Sequence, residues 1–193
     1  MSSTIFLIRH GRSGPVPSGW MNAAEFVRWR ETYEAAGLDP DDVPPAELKA
    51  LASGSGIVVA STARRTVESA NALASGRPVI PSPLLHELEL PPPALGRIRL
   101  PTVGWALLFG LRMLVPVAFG RRHVTAEEEQ RTRAAAEWLS GLADQHGSVV
   151  AVTHASFRSL LGQKLVGAGW RNDGPRGRPR HWSVRSFTRA VHT

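Results

Sequence analysis

Apolar residues along this chain fall into two spacings. Thr4-Ile5-Phe6-Leu7-Ile8, Ile57-Val58-Val59-Ala60 and Val149-Val150-Ala151-Val152-Thr153 are short unbroken runs, the pattern of strands buried on both faces. Val79-Ile80 is a shorter run between turn residues. Elsewhere apolar positions recur every three or four residues, as on one face of a helix. Phe26, Trp29, Tyr33 and Ala36 predict a helix over 20–36, with Gly37 as its C-cap. Pro44-Pro45 opens a short helix to about Ala52, and a further helix runs from about Thr62 to Ala74 and ends at Gly76. Thr125-Ala126-Glu127-Glu128 reads as a capping box. The helix it opens carries Ala135, Trp138, Leu139 and Leu142 on one face and is closed by Gly147. From His154 to about Val166, Phe157, Leu160, Leu161 and Leu165 face inward, and Val184 to Val191 reads as a final edge strand. Helices alternating with short apolar strands predict an α/β fold. The expected form is a three-layer α/β/α sandwich around a mostly parallel, doubly wound sheet.

Two stretches interrupt this alternation. At about 90–124 Pro91-Pro92-Pro93 breaks the chain, and Val103 to Phe119 is then mostly apolar. As a helix that run would be about 25 Å long, near the lower limit for spanning a bilayer. Arg112 in its middle and Pro116 near its end argue against spanning. Three roles fit: a lid packed over a site, a buried core helix, or an interfacial membrane anchor flanked by Arg97, Arg99, Arg121 and Arg122. The lid is the expected one and the buried core helix the next; membrane association is not expected, and would at most be interfacial. Residues 171–180 read as a basic Gly/Pro/Arg loop.

Composition narrows the chemistry. A chain of 193 residues fits one domain that buries about 70% of the surface its unfolded form exposes. Cysteine is absent, which excludes disulfides, thiolate metal sites and a thiol nucleophile. The N-terminus enters the first strand without a basic region followed by an apolar one, so a cytoplasmic protein is expected. Net charge is +7, and Lys49 and Lys164 are the only lysines. Arginine grips phosphate bidentately, so an anionic partner fits. Nucleic acid is not expected, because the basic C-terminal tract has Trp182 as its single tryptophan and lacks interleaved aromatics for base stacking.

Polar groups stand where the three main strands end. Arg9-His10-Gly11 follows the first, Ser61-Thr62-Ala63-Arg64-Arg65 the second and His154 the third. Open α/β sheets bind ligands at that edge. Arg64 and Arg65 are neighbours on a helix and point about 100° apart, so only one of them can face a shared crevice. His86, His123, His146, His181 and His192 have no ligand spacing, and no metal or other cofactor is expected.

Arg9-His10-Gly11, the block Ser61 to Ala70, Leu85-His86-Glu87 and Val152-Thr153-His154 together resemble the histidine phosphatase superfamily, the phosphoglycerate-mutase-like proteins. The resemblance spans roughly residues 3–89 and 125–166, in family order. It implies a phosphoric monoester hydrolase acting on a small phosphorylated substrate. His10 would be the nucleophile, Arg9, Arg65 and His154 would clamp the phosphate, and Glu87 would be the acid, with Glu89 as the alternative. Arg12 and Ser13, in the loop after the nucleophile, can reach the phosphate or lie at the surface.

The sequence departs from the family pattern at three places. Ala155 stands where glycine is common after the second histidine. Val16-Pro17 occupies the stretch of a usual asparagine, with Asn22 as a candidate substitute, and Leu-Pro-Pro-Pro follows the acid block. The alternatives left open are a phosphomutase, a phosphohistidine-protein phosphatase, or an impaired protein that only binds phosphate. A covered pocket would favour a partly apolar leaving group.

Overall fold

The computed structural model describes residues 2–14, 18–89, 95–108, 111, 124–174 and 180–190. Among the described residues eight strands form two sheets. The main one contains β1 (Ser2–Arg9), β3 (Ile57–Ser61), β4 (Val79–Ser82), β6 (Ser148–Thr153), β7 (Arg171–Asn172) and β8 (Val184–Ala190), in the order β4-β3-β6-β1-β8-β7. The first four strands of that order run parallel, whereas β8 is antiparallel to β1 and β7 antiparallel to β8. A separate two-stranded ribbon pairs β2 (Trp20–Met21) with β5 (Leu100–Pro101).

Register explains why the apolar runs are unbroken. Val149 pairs with both Ile5 and Ile57, so β6 is flanked by β1 and β3 with both of its edges paired, and helices cover its two faces. Ile5, Leu7, Val59, Val149 and Ala151 point to one side. They pack there against α5 (Ala126–His146) and α6 (Ala155–Gly167), through Leu139, Phe157 and Leu161 among others. Ile8, Val58, Ala60, Val150 and Val152 point to the other side. There they meet α2 (Ala46–Gly54) and α3 (Arg64–Ala74), through Leu48, Ala70 and Leu73. Truncating a fully buried leucine such as Leu139 should cost about 2–5 kcal/mol. A third cluster is built from Met21, Phe26 and Trp105, where α1 (Ala23–Ala35) meets α4, which is helical over the described residues 102–108.

Several local expectations are corrected. The first helix begins at Ala23, because Asn22 caps it: its side chain accepts from Glu25 N at 3.0 Å while the Glu25 carboxylate accepts from Asn22 N at 2.8 Å. That is the reciprocal capping box. The one expected at Thr125 is half made. Thr125 accepts from Glu128 N at 3.2 Å, but Glu128 turns to Arg131 and to Glu89 N. Gly37 is not a left-handed C-cap, since the cap residue Ala36 is extended (φ −67°, ψ 136°). Gly37 is instead a close approach, where a Cβ would collide with the Glu68 carboxylate. β8 is an interior strand, because Arg171–Asn172 adds β7 outside it; the start of the expected basic loop is therefore strand. Most of the apolar run 103–119 lies outside the described residues. Its described part is α4, held by Trp105, whose indole N–H donates to Met21 O at 3.0 Å. Among the described residues no helix is long and apolar enough to cross a membrane.

Candidate active site

The carboxyl ends of β1, β3 and β6 lie side by side, and this brings the polar ends of the three runs together. His10 follows β1, Ser61 closes β3 and His154 is the N-cap of α6. The His10 and His154 rings are 5.2 Å apart and nearly perpendicular. Both are almost wholly buried.

The hydrogen bonds set the tautomers. His10 Nδ1 lies 2.6 Å from Gly11 O. A carbonyl can only accept, so the proton sits on Nδ1 and the lone pair on Nε2. At His154 the order is reversed. Arg65 Nη2 is 3.1 Å from its Nδ1, and a guanidinium can only donate. The His154 proton is therefore on Nε2, which donates to Ser61 Oγ at 3.0 Å. Burial, reinforced by Arg65, pushes His10 from 6.5 down to about 3 and drives His154 down as well. Both rings are neutral at physiological pH.

Arg65 is the centre of the cluster. It is buried, whereas Arg64 on the next position is exposed and pairs with Glu68 at 2.7 Å. Nη1 of Arg65 donates to Tyr33 O at 3.2 Å, and Nη2 reaches both Glu34 oxygens at 3.1 and 3.2 Å. Its guanidinium lies 4.6 Å over the Tyr33 ring. The Tyr33 hydroxyl also hydrogen-bonds Arg9, whose pKa burial lowers.

Glu87 stands at the N-terminus of α6. Oε1 accepts from Phe157 N at 2.8 Å and from Leu88 N at 3.0 Å, while Oε2 accepts from Ser156 N at 3.4 Å. Burial raises its pKa, opposed by those N–H groups and by Arg65. Glu89 is exposed beside the start of α5, where its backbone N–H donates to Glu128 Oε1 at 3.2 Å. Arg12 turns outward, its Nε 2.9 Å from Asp39 and its side chain 58% exposed. Arg12 and Ser13 both line a cavity of about 440 Å³ together with Trp29, Tyr33, Asp39 and His181. The structure thus gathers Arg9, His10, Arg65, Glu87 and His154, leaves Ser13 on the adjoining cavity wall, and puts Arg12 at the rim.

Further members escaped sequence reasoning. The His181 ring is 5.5 Å from His10, with Nδ1 3.1 Å from His10 O, and the His86 ring is 6.0 Å from His154. Arg131 of α5 braces the acid segment, donating to Leu84 O at 3.1 Å, His86 O at 2.9 Å and Glu87 O at 3.3 Å. Thr153 Oγ holds Leu85 O at 2.7 Å. Among the described residues no group of histidines and carboxylates could hold a metal ion.

No protein-family model matches the chain, and no curated protein is significantly similar to it. Solved structures are. A mycobacterial glucosyl-3-phosphoglycerate phosphatase complexed with VO3 matches with a TM-score of 0.58 at 16% identity, over 95% of this chain and 92% of that one. An ecdysone phosphate phosphatase from Bombix mori, in complex with tungstate, matches at 0.55 and 14% identity, over 95% and 88%. A phosphoserine phosphatase from Entamoeba histolytica, in complex with 3-phosphoglyceric acid, matches at 0.52 and 15% identity, over 95% and 89%. The chain therefore has the fold of the histidine phosphatases, as its strand-end motifs led us to expect.

Proposed function

We propose that the protein is a metal-independent phosphatase that hydrolyses a phosphomonoester through a phosphohistidine on His10. The observation that carries this reading is the pair of buried imidazoles 5.2 Å apart, one whose Nδ1 is bonded to the Gly11 carbonyl and the other bonded to a buried arginine. His10 Nε2 attacks phosphorus, an N–P bond forms and the ester P–O bond breaks. Glu87, whose pKa burial raises, gives its proton to the departing alkoxide. Water then attacks the phosphohistidine, its proton passes to the Glu87 carboxylate, the N–P bond breaks and inorganic phosphate leaves. Arg9, Arg65 and His154 Nε2–H offset charge on the phosphoryl oxygens throughout. The fold shared with three phosphatases supports the reaction class.

The test is hydrolysis of p-nitrophenyl phosphate and a panel of phosphorylated metabolites, with and without EDTA. Turnover that survives EDTA and vanishes in His10→Ala, with an acid-labile phosphoenzyme in the wild type, is the expected result. Turnover that persists in folded His10→Ala overturns the reading. Interconversion of phosphorylated isomers without phosphate release would make the protein a mutase instead.

A further inference from the structure

The cluster that joins α1 to α4 has an inner and an outer face, and both are apolar. On the inner face Trp105 is fully buried and stacks on Phe26 with ring centroids 4.6 Å apart. On the outer face Val103, Leu107 and Leu111 recur at helical spacing, with Val103 74% and Leu107 65% exposed. The same unit carries Trp20, 65% exposed on the ribbon, and exposed Ile98. These five are most of the large apolar side chains that the described residues leave exposed, so they gather on one unit rather than scattering.

Charge along this stretch of the sequence has one sign. Arg97 and Arg99 flank Ile98 and are both exposed. Between residues 90 and 123 the sequence contains five arginines and no aspartate or glutamate. Glu25, from α1, is the carboxylate that pairs with Arg99, at 3.2 Å. A helix held from inside by a buried tryptophan, apolar outside and bordered by arginine, combines the two attractions of an interfacial protein: apolar burial below the headgroups and charge at them. A protein partner would require a complementary acidic rim, whereas an anionic bilayer supplies negative charge everywhere.

We propose that the outer face of α4, with Trp20, Ile98 and Arg97, docks on the surface of an anionic phospholipid bilayer without crossing it. The face is carried by α1, whose Tyr33 flanks Arg9 and Arg65, so docking sets the candidate site close to the lipid surface.

Co-sedimentation of the full chain with vesicles tests this. Binding is expected to mixed phosphatidylglycerol and phosphatidylcholine vesicles, to weaken as salt is raised, and to be much weaker on pure phosphatidylcholine. Leu107→Asp, a change at an exposed position, should lower partitioning about tenfold or more, and Arg97→Glu several-fold. Circular dichroism of each variant checks that it folds. No binding to the anionic vesicles, or equal binding by folded Leu107→Asp, overturns the proposal. So does a dimer in sedimentation velocity that Leu107→Asp dissociates, because the face would then be covered by a second copy. Phosphatase activity plays no part in the readout, so this result stands or falls apart from the proposed reaction.

Discussion

Replacing His10 with glutamine should remove a large part of the protein's sensitivity to mild acid. Glutamine can still donate to the Gly11 carbonyl, but it does not titrate. In the fold, burial and then Arg65 depress the His10 pKa from 6.5 to about 3, while the unfolded chain keeps the ordinary value. The folded state therefore favours the neutral ring. The corresponding stability is fully present above pH 6.5 and is lost as pH falls toward 3, because the unfolded chain takes up a proton that the fold refuses. Each unit below the ordinary value is worth about 1.4 kcal/mol, so between pH 7 and pH 5 His10 alone should remove about 2 kcal/mol. His154 is depressed by the same causes and adds a loss of the same sign. Glu87 acts in the opposite sense: burial raises its pKa, so its contribution is present below the ordinary 4.5 and is lost as pH rises through the folded value. The wild-type slope is the sum of these, and the difference between wild type and His10→Gln isolates the first. Urea unfolding followed by tryptophan fluorescence at pH 7 and pH 5 measures it. Wild type should lose about 2 kcal/mol more than the variant over that interval. Equal losses would refute the claim that the fold holds this ring neutral, and with it the readiness of Nε2 to attack.

Four other outcomes follow from the geometry. Arg65→Lys, which keeps the charge but loses the fork reaching Tyr33 O, Glu34 and His154, should lower kcat/KM about 10²–10³-fold, while exposed Arg64→Ala stays near wild type; similar values for the two would show that the guanidinium has no special place. Glu87→Gln should slow hydrolysis of alkyl phosphates far more than that of p-nitrophenyl phosphate, whose leaving group needs no proton, and equal slowing would remove the acid role. Gly11→Ala would drive a Cβ into the Trp182 and Leu38 side chains and should cost about 1–3 kcal/mol in a denaturant titration. Inorganic phosphate or vanadate should raise the melting temperature, by the equivalent of about 2.7 kcal/mol at a hundredfold excess over Kd, and His154→Ala should reduce that gain.

What could be read in advance was what lies close together along the chain. β1, β3 and β6 were legible because burial on both faces demands unbroken apolar runs, and Ile5, Val149 and Ile57 pair in that way. One residue of helical rotation required that Arg64 and Arg65 part, and the family resemblance singled out Arg65 as the inward one. The missed features are contacts between distant segments. His181 reaches His10 across 171 residues, Arg131 braces the acid segment from 44 to 47 residues away, and Glu34 meets Arg65 over 31. None of these has a local pattern, since a histidine, an arginine or a glutamate on a helix face looks the same whether solvent or an active site lies opposite. β7 was missed because a two-residue strand has no periodicity, although Arg171–Asn172 is enough to make β8 an interior strand. The Asn22 cap did carry a signal: an Asn with Glu25 three residues on is a capping pair, and the longer aromatic run masked it.

The balance of charge explains why so many basic groups tolerate burial at one sheet edge. Arg65 is paired with Glu34, and Arg9 feels Glu87. Arg158 lies on the first turn of α6, buried against neutral Ser183, and its pKa falls to about 10 through burial and then Arg185 and Arg9. Four imidazoles share this region, and burial keeps His10 and His154 uncharged, so they add donors and lone pairs without adding repulsion. Arg158 is thus a buried cation held by neutral oxygens. A cation buried without a full partner is costly, and a fold retains that cost where something else supplies the missing charge. A phosphate dianion bound between His10 and His154, as the proposed reaction requires, would add negative charge beside Arg9 and Arg65, and these arginines would then hold the phosphoryl group during transfer.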